Sequence, residues 1–231
     1  MGRSPYLVEV RTGGETKDYL KDIIRDIANR FDVHGAVRSR PVPHITLFGP
    51  YNTNAGPKAR RIVGDVCSDY NVVPYRLKGF DHFDNSVVYV DVVPSPELRQ
   101  LRRDLSRRLR GISYNDRPWD ANKYHSFHVT VAKGDISDQF EEIWEYVTNE
   151  YSPDINEYAT RITSLRGREM MHEYDLLQDR FLSPDEATSY ESWQTTEALL
   201  KEEQGPDDHD RCSELSRFQR MRQKVEKWMH S

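Results

Sequence analysis

The sequence predicts an α+β fold of antiparallel sheets arranged as two pseudo-duplicated lobes. Three observations carry that expectation. Strand-like and helix-like segments are mixed without strict βαβ alternation. The order of elements in the second half of the chain echoes the first. Two short apolar strands also share one signature, His44-Ile45-Thr46-Leu47 and His128-Val129-Thr130-Val131, 84 residues apart. A chain with 8 His and 11 Thr yields about 0.4 His-x-Thr triplets by chance, so one match would mean little. Here the pattern occurs twice, each time inside an apolar run.

The elements read off in order. Tyr6 to Arg11 is a first strand. Lys17 to Phe31 is an amphipathic helix, with Tyr19, Leu20, Ile23, Ile24, Ile27 and Phe31 on one face. Val42 to Phe48 is the first His-x-Thr strand, stopped by Gly49-Pro50. Lys58 to Tyr70 is a second helix. Tyr75 to Phe83 and Val87 to Val93 form a hairpin across Asp84-Asn85-Ser86. Pro96 to Arg110 is a third helix, ended by Gly111. Phe127 to Ala132 is the second His-x-Thr strand. Ser137 to Tyr151 is a fourth helix, and Ala159 to Leu165 with Glu173 to Leu177 is a closing strand pair.

The tail is different. Ser183-Pro184-Asp185-Glu186 places Ser at an N-cap, Pro at N1 and Glu at N3, a strong helix start. That helix is expected to run to about Glu203, before Gln204-Gly205-Pro206. A second helix over 212–230 carries an apolar stripe of Leu215, Phe218, Met221, Val225 and Trp228. Residues 183–231 hold 11 acidic and 7 basic side chains, a net of −4, which leaves −1 of the chain's −5 for residues 1–182. The chain therefore divides into a nearly neutral body, 1–182, and an acidic helical extension, 183–231. The extension's stripe is open to packing on the body, to self-association or to a lid role. No obligatory protein partner is indicated.

Bulk properties narrow the function. A net charge of −5 provides no global basic field for long nucleic acid, but a small nucleotide or an RNA end remains compatible. The two cysteines, Cys67 and Cys212, form no CxxC pair, so neither a zinc site nor a disulfide framework is indicated. The amino terminus lacks an apolar leader, and no run of 18 apolar residues occurs, so no membrane contact is expected. A soluble cytoplasmic protein with reduced thiols is predicted.

The motifs carry the chemistry. Side chains alternate along a strand, so His44 projects with Thr46, and His128 with Thr130. Each strand offers one imidazole and one hydroxyl on its polar face while Ile45, Leu47, Phe127, Val129 and Val131 enter a core. Facing each other across a cleft, the two copies supply two proton carriers and two phosphate-binding hydroxyls.

Pro43-His44-Ile45-Thr46-Leu47-Phe48-Gly49-Pro50 and Phe127-His128-Val129-Thr130-Val131 resemble the paired motifs of the two-histidine (2H) phosphoesterase superfamily. That group includes 2′-5′ RNA ligase-like proteins and RNA cyclic phosphodiesterases. Glu173-Tyr174-Asp175-Leu176 resembles the last strand of many members, and the resemblance covers about residues 5–182. It implies two lobes, each an antiparallel sheet with outer helices, facing across a central groove. It also implies a metal-independent phosphoric diester hydrolase acting on 2′,3′-cyclic phosphate RNA ends or a related nucleotide, with reversible 2′-5′ ligation as a minor activity. By analogy, His44 protonates the leaving oxygen, His128 activates water, and Thr46 and Thr130 hold the phosphate. The residues alone do not distinguish the two histidines. No cofactor and no metal are implied.

Further residues are candidates for substrate contact. Phe48 follows Thr46 on the same face by alternation and is placed either under a base or in the core. Tyr124 sits in a polar loop with His125, just before the second motif. Lys133 lies just past that motif, and Arg166 and Arg168 flank a turn near the last strands. The arginine-rich helix 96–110 reads as a solvated outer face. A different class of function is a non-catalytic nucleotide-binding or scaffold module that keeps the same groove.

Overall fold

A computed structural model describes residues 4–39, 42–114 and 125–204. Nine strands form two antiparallel sheets among these residues. In chain order they are β1 (Tyr6–Arg11), β2 (His44–Tyr51), β3 (Val73–Phe83), β4 (Val87–Pro94), β5 (His128–Lys133), β6 (Asp154–Ala159), β7 (Arg161–Arg166), β8 (Glu169–Asp175) and β9 (Arg180–Leu182). The helices are α1 (Gly14–Phe31), α2 (Gly35–Ser39), α3 (Gly56–Cys67), α4 (Pro96–Arg110), α5 (Phe140–Glu150), α6 (Pro184–Thr188) and α7 (Tyr190–Gln204). None is long and apolar enough to cross a membrane.

The first sheet has the order β2-β1-β7-β8-β9 and the second β5-β4-β3-β6. The duplication is therefore interleaved rather than split between halves. The chain begins in the first sheet, builds the whole second sheet with β3 to β6, and returns to finish the first. Each sheet ends on its His-x-Thr strand, and these two edges, β2 and β5, pack against each other.

The apolar halves of the motifs explain this placement. Ile45, Leu47, Val129 and Val131 are fully buried, in one core with Val8, Val10, Val88 and Val90 of the neighbouring strands. Strand alternation then leaves the histidines and threonines on the opposite face. Helix α1 buries Leu20, Ile23, Ile24 and Ile27 at helical spacing. It starts three residues earlier than the apolar pattern suggests, because Thr16 is also turned inward and donates to Glu157 of β6. Helix α4 begins as expected, with Ser95 accepting from the Leu98 amide and Pro96 in the first turn.

Three features depart from the sequence reading. Strand β6 is polar and short, and β9 has only three residues, so neither carries a periodic signal. Strand β2 runs on to Tyr51 through Gly49, whose φ of 107° and close approach to the Tyr6 carbonyl only glycine tolerates. The helix expected over 184–203 breaks at Ser189, which is extended and whose hydroxyl accepts from the Ser192 amide to start α7 afresh. The helix expected over 212–230 lies outside the described residues.

Helix α2 was not anticipated, and it shapes one wall of the cleft. The Asp135 carboxylate accepts from the His34 and Gly35 amides at 3.1 and 3.2 Å and pins the start of α2 to the end of β5. A Cβ on Gly35 would lie 1.8 Å from the Lys133 carbonyl oxygen. Gly35→Ala must push α2 off β5. The expected cost is on the order of 1–3 kcal/mol or more, read as a lower urea midpoint.

Candidate active site

His44 and Thr46 of β2 face His128, Thr130 and Lys133 of β5 across one cavity of about 290 Å³. Leu7, Ile24, Ala36 and Pro50 supply its apolar walls. Each imidazole is tethered in the same way. Nδ1 of His44 lies 2.8 Å from the Val42 carbonyl, and Nδ1 of His128 lies 3.0 Å from the Ser126 carbonyl, two residues back in each case. A carbonyl only accepts, so each neutral ring carries its proton on Nδ1. Nε2 is then the nitrogen that gains and loses a proton.

The two motifs share a second feature. In the pairing of β1 with β2, Glu9 stands opposite Thr46 while Val8 stands opposite Phe48, so Leu47 is an extra, bulged residue. In the pairing of β4 with β5, Tyr89 stands opposite Thr130 and Val88 opposite Ala132, which bulges Val131. The bulge resets the alternation just after each threonine. This is why Phe48 does not join Thr46. It turns to the other face, is 1% exposed, and packs on Tyr51 with ring centroids 5.0 Å apart.

The other sequence candidates are placed as follows. Lys133 lines the cavity. Arg166 does not; it lies over the Tyr6 ring, 5.6 Å from its centroid. Arg168 also points elsewhere and donates to the Arg38 carbonyl at 3.1 Å. The turn at Gly167, with φ of 64° and its amide bound to the Pro5 carbonyl, directs both away. Tyr124 lies outside the described residues. On α4, Arg102 is buried, while Arg107 and Arg108 pair with Asp104 and Asp65.

The surroundings of the two histidines differ. His128 sits against Phe83 and Tyr89, with centroids 4.9 and 5.1 Å away. Burial depresses its pKa below the ordinary histidine value; the Ser126 carbonyl and Asp91 oppose this, while His44 and Lys133 add to it. His44 instead has a carboxylate beside it. Oε2 of Glu9 is 3.8 Å from Nε2 of His44, and Glu9 is 1% exposed. Arg11 donates to the same carboxylate at 2.9 Å. His125 lies just before the second motif, its ring crossing Phe127 edge-on, and burial, aided by Arg102 and His128, pushes its pKa down to about 4.

Behind Glu9 runs a buried polar row. Register places Thr46, Glu9, Thr163 and Glu173 side by side across β2, β1, β7 and β8. The Thr163 hydroxyl donates to Glu173 at 2.5 Å. Arg161 joins this row to α7, donating to Asp175 at 2.9 Å, to the Ser192 carbonyl at 2.7 Å and to the Thr196 hydroxyl at 2.6 Å. Sequence reasoning missed Glu9. Its one signal was a single acidic residue inside the apolar strand Tyr6–Arg11.

A family model described as the 2′-5′ RNA ligase superfamily matches residues 18–169. Several solved structures are similar in fold. Usb1 of Kluyveromyces marxianus is 12% identical with a TM-score of 0.46, the match covering 73% of this chain and 96% of Usb1. E. coli LigT complexed with 3′-AMP is 17% identical with a TM-score of 0.45, covering 75% of this chain and 98% of LigT. A crystal structure of a phosphoesterase is 13% identical with a TM-score of 0.45, covering 79% and 94%. No curated protein sequence matches the chain. On the family match, the chain belongs to the 2′-5′ RNA ligase superfamily of two-histidine phosphoesterases, whose function is of the phosphodiesterase or ligase-like kind.

Proposed function

We propose that this protein is a metal-independent cytoplasmic phosphodiesterase that opens 2′,3′-cyclic phosphates at RNA ends, or a related cyclic or 2′-5′-linked nucleotide. Residues 1–182 carry the reaction, and 183–231 form a C-terminal extension. The observation that best supports this reading is the matched tethering of the two imidazoles. Both rings hold Nδ1 on a backbone carbonyl, so both keep Nε2 for proton exchange at one shared cavity.

His128, kept neutral near pH 7 by burial, takes a proton from water at Nε2 as the water oxygen attacks phosphorus. The bond from phosphorus to one ribose oxygen breaks. His44 gives its Nε2 proton to that departing alkoxide, and the product is a monophosphate beside a free hydroxyl. The Thr46 and Thr130 hydroxyls donate to the non-bridging oxygens as charge grows there, and the Lys133 ammonium adds positive charge at the same wall. Run in the same direction with a ribose hydroxyl in place of water as the nucleophile, the same residues form a new phosphodiester as the cyclic phosphate opens, so 2′-5′ ligation is a minor activity.

The test uses the full chain in EDTA with a short RNA ending in a 2′,3′-cyclic phosphate, resolving the 2′- and 3′-phosphate products. Conversion to one monophosphate is the expected result. Absence of turnover from pH 5 to 9, in protein that still binds nucleotide, overturns the proposal in favour of a binding module.

A further inference from the structure

We propose that Glu9 is a positioning residue for His44, a buried carboxylate that holds the imidazole in its charged form and makes it the acid of the pair. This rests on the reading of His44 as a proton carrier. It accounts for a difference that two equivalent motifs cannot produce by themselves.

The geometry is specific. Glu9 is on the strand next to His44, and cross-strand register sets it opposite Thr46, with Arg11 opposite His44. Its Oε2 stands 3.8 Å from the titrating nitrogen of His44. A buried carboxylate at that distance favours the imidazolium, because the attraction acts where water screens little. Arg11 donates to the other carboxylate oxygen, Oε1, at 2.9 Å. The groups facing His44 from each packed element can be named. Strand β1 contributes Glu9 and the partly exposed Arg11, and β5 contributes His128 and Lys133. The segment before His44 contributes Val42 and Pro43, and α1 and α2 contribute Ile24 and Ala36, all uncharged. Arg11 and Lys133 disfavour the imidazolium, as does His128 once protonated, and Glu9 opposes them. His128 has a different environment. Phe83 and Tyr89 pack against its ring, and burial raises the pKa of Asp91, its cross-strand partner on β4.

The experiment is a pH titration of the histidine ring signals by NMR in the full chain. Wild type, Glu9→Gln and Arg11→Gln are compared, with the pH profile of cyclic phosphate opening measured in parallel. Glu9→Gln is isosteric and is expected to lower the His44 midpoint by about 1–3 pH units while His128 moves little. Arg11→Gln, at a partly exposed position, is expected to raise the His44 midpoint by removing a competing positive charge. In the rate profile, the alkaline limb follows His44 downward in Glu9→Gln. A purely structural role for Glu9 does not give opposite signs in the two variants. An unchanged His44 midpoint in Glu9→Gln, or equal shifts at His44 and His128, overturns the proposal. The titration is read without turnover. A shifted His44 in a protein that opens no cyclic phosphate supports Glu9 as the charging group and removes only the proposed reaction.

Discussion

His44→Ala and His128→Ala are each expected to lower turnover of an RNA 2′,3′-cyclic phosphate by on the order of 10²–10⁴-fold, with the fold intact. Both rings sit on edge strands and are only partly buried, and their neighbours Ile45 and Val129 keep the core contacts. The loss therefore falls on the proton transfers. It should appear in kcat more than in KM, because Thr46, Thr130 and Lys133 still meet the phosphate. The double variant is expected to be barely slower than the worse single one, as the proposed concerted transfer requires both rings. The sign of the pH dependence follows from His128. Its pKa is depressed below the ordinary 6.5, so the neutral base is present at pH 7 and is lost as pH falls. The acidic limb of kcat/KM then lies below pH 6.5 and disappears in His128→Ala. An acidic limb that survives this substitution, or a loss under tenfold, would refute the assignment of His128 as base.

What could be read from the sequence was set by local pattern. The two His-x-Thr strands were visible because alternation and apolar flanks are properties of four consecutive residues. Helices α1 and α4 were visible through their periodicity, and the start of α6 through Ser183, Pro184 and Glu186. Features that depend on a neighbouring strand were hidden. The bulge that turns Phe48 into the core exists only in the register of β2 against β1. Glu9 resembles any charged strand residue until the pairing of β1 with β2 and β7 sets it in a buried polar row. Arg166 and Arg168 were close in sequence to the last strands, yet the Gly167 turn aims them at Tyr6 and Arg38. The order of elements suggested a duplication, but which strands share a sheet was decided by long-range pairing. The paired motifs were therefore readable, while the charges that make the two histidines unlike were not.

Arg161→Met is expected to destabilise the protein by about 3–5 kcal/mol, measured as a lower urea midpoint with an unchanged slope. The guanidinium is 4% exposed and is the counter-charge for Asp175 and Glu173, both also buried. Methionine fills much of the same volume but leaves two carboxylates unmatched in a dry site, and their desolvation cost then falls on the folded state. Burial alone already raises the Glu173 pKa, and Arg161 opposes that rise. The substitution also removes one of the attachments of the C-terminal segment. Arg161 donates to the carbonyls of Ala187 and Ser192 and to the Thr196 hydroxyl, and lies 3.9 Å over the Trp193 ring. Trp193 in turn packs on Gly13, beside Thr12, whose amide binds the Pro43 carbonyl next to His44. Loosening α7 is thus expected to reach the cavity as well. Trp193→Ala tests that separately, because it removes the ring and leaves the buried charges matched. It should cost less stability than Arg161→Met while still slowing turnover. Adding Asp175→Asn to Arg161→Met should recover part of the loss, since one unmatched charge is then gone. Full additivity of those two substitutions would mean that charge matching is not what holds α7 to the sheet.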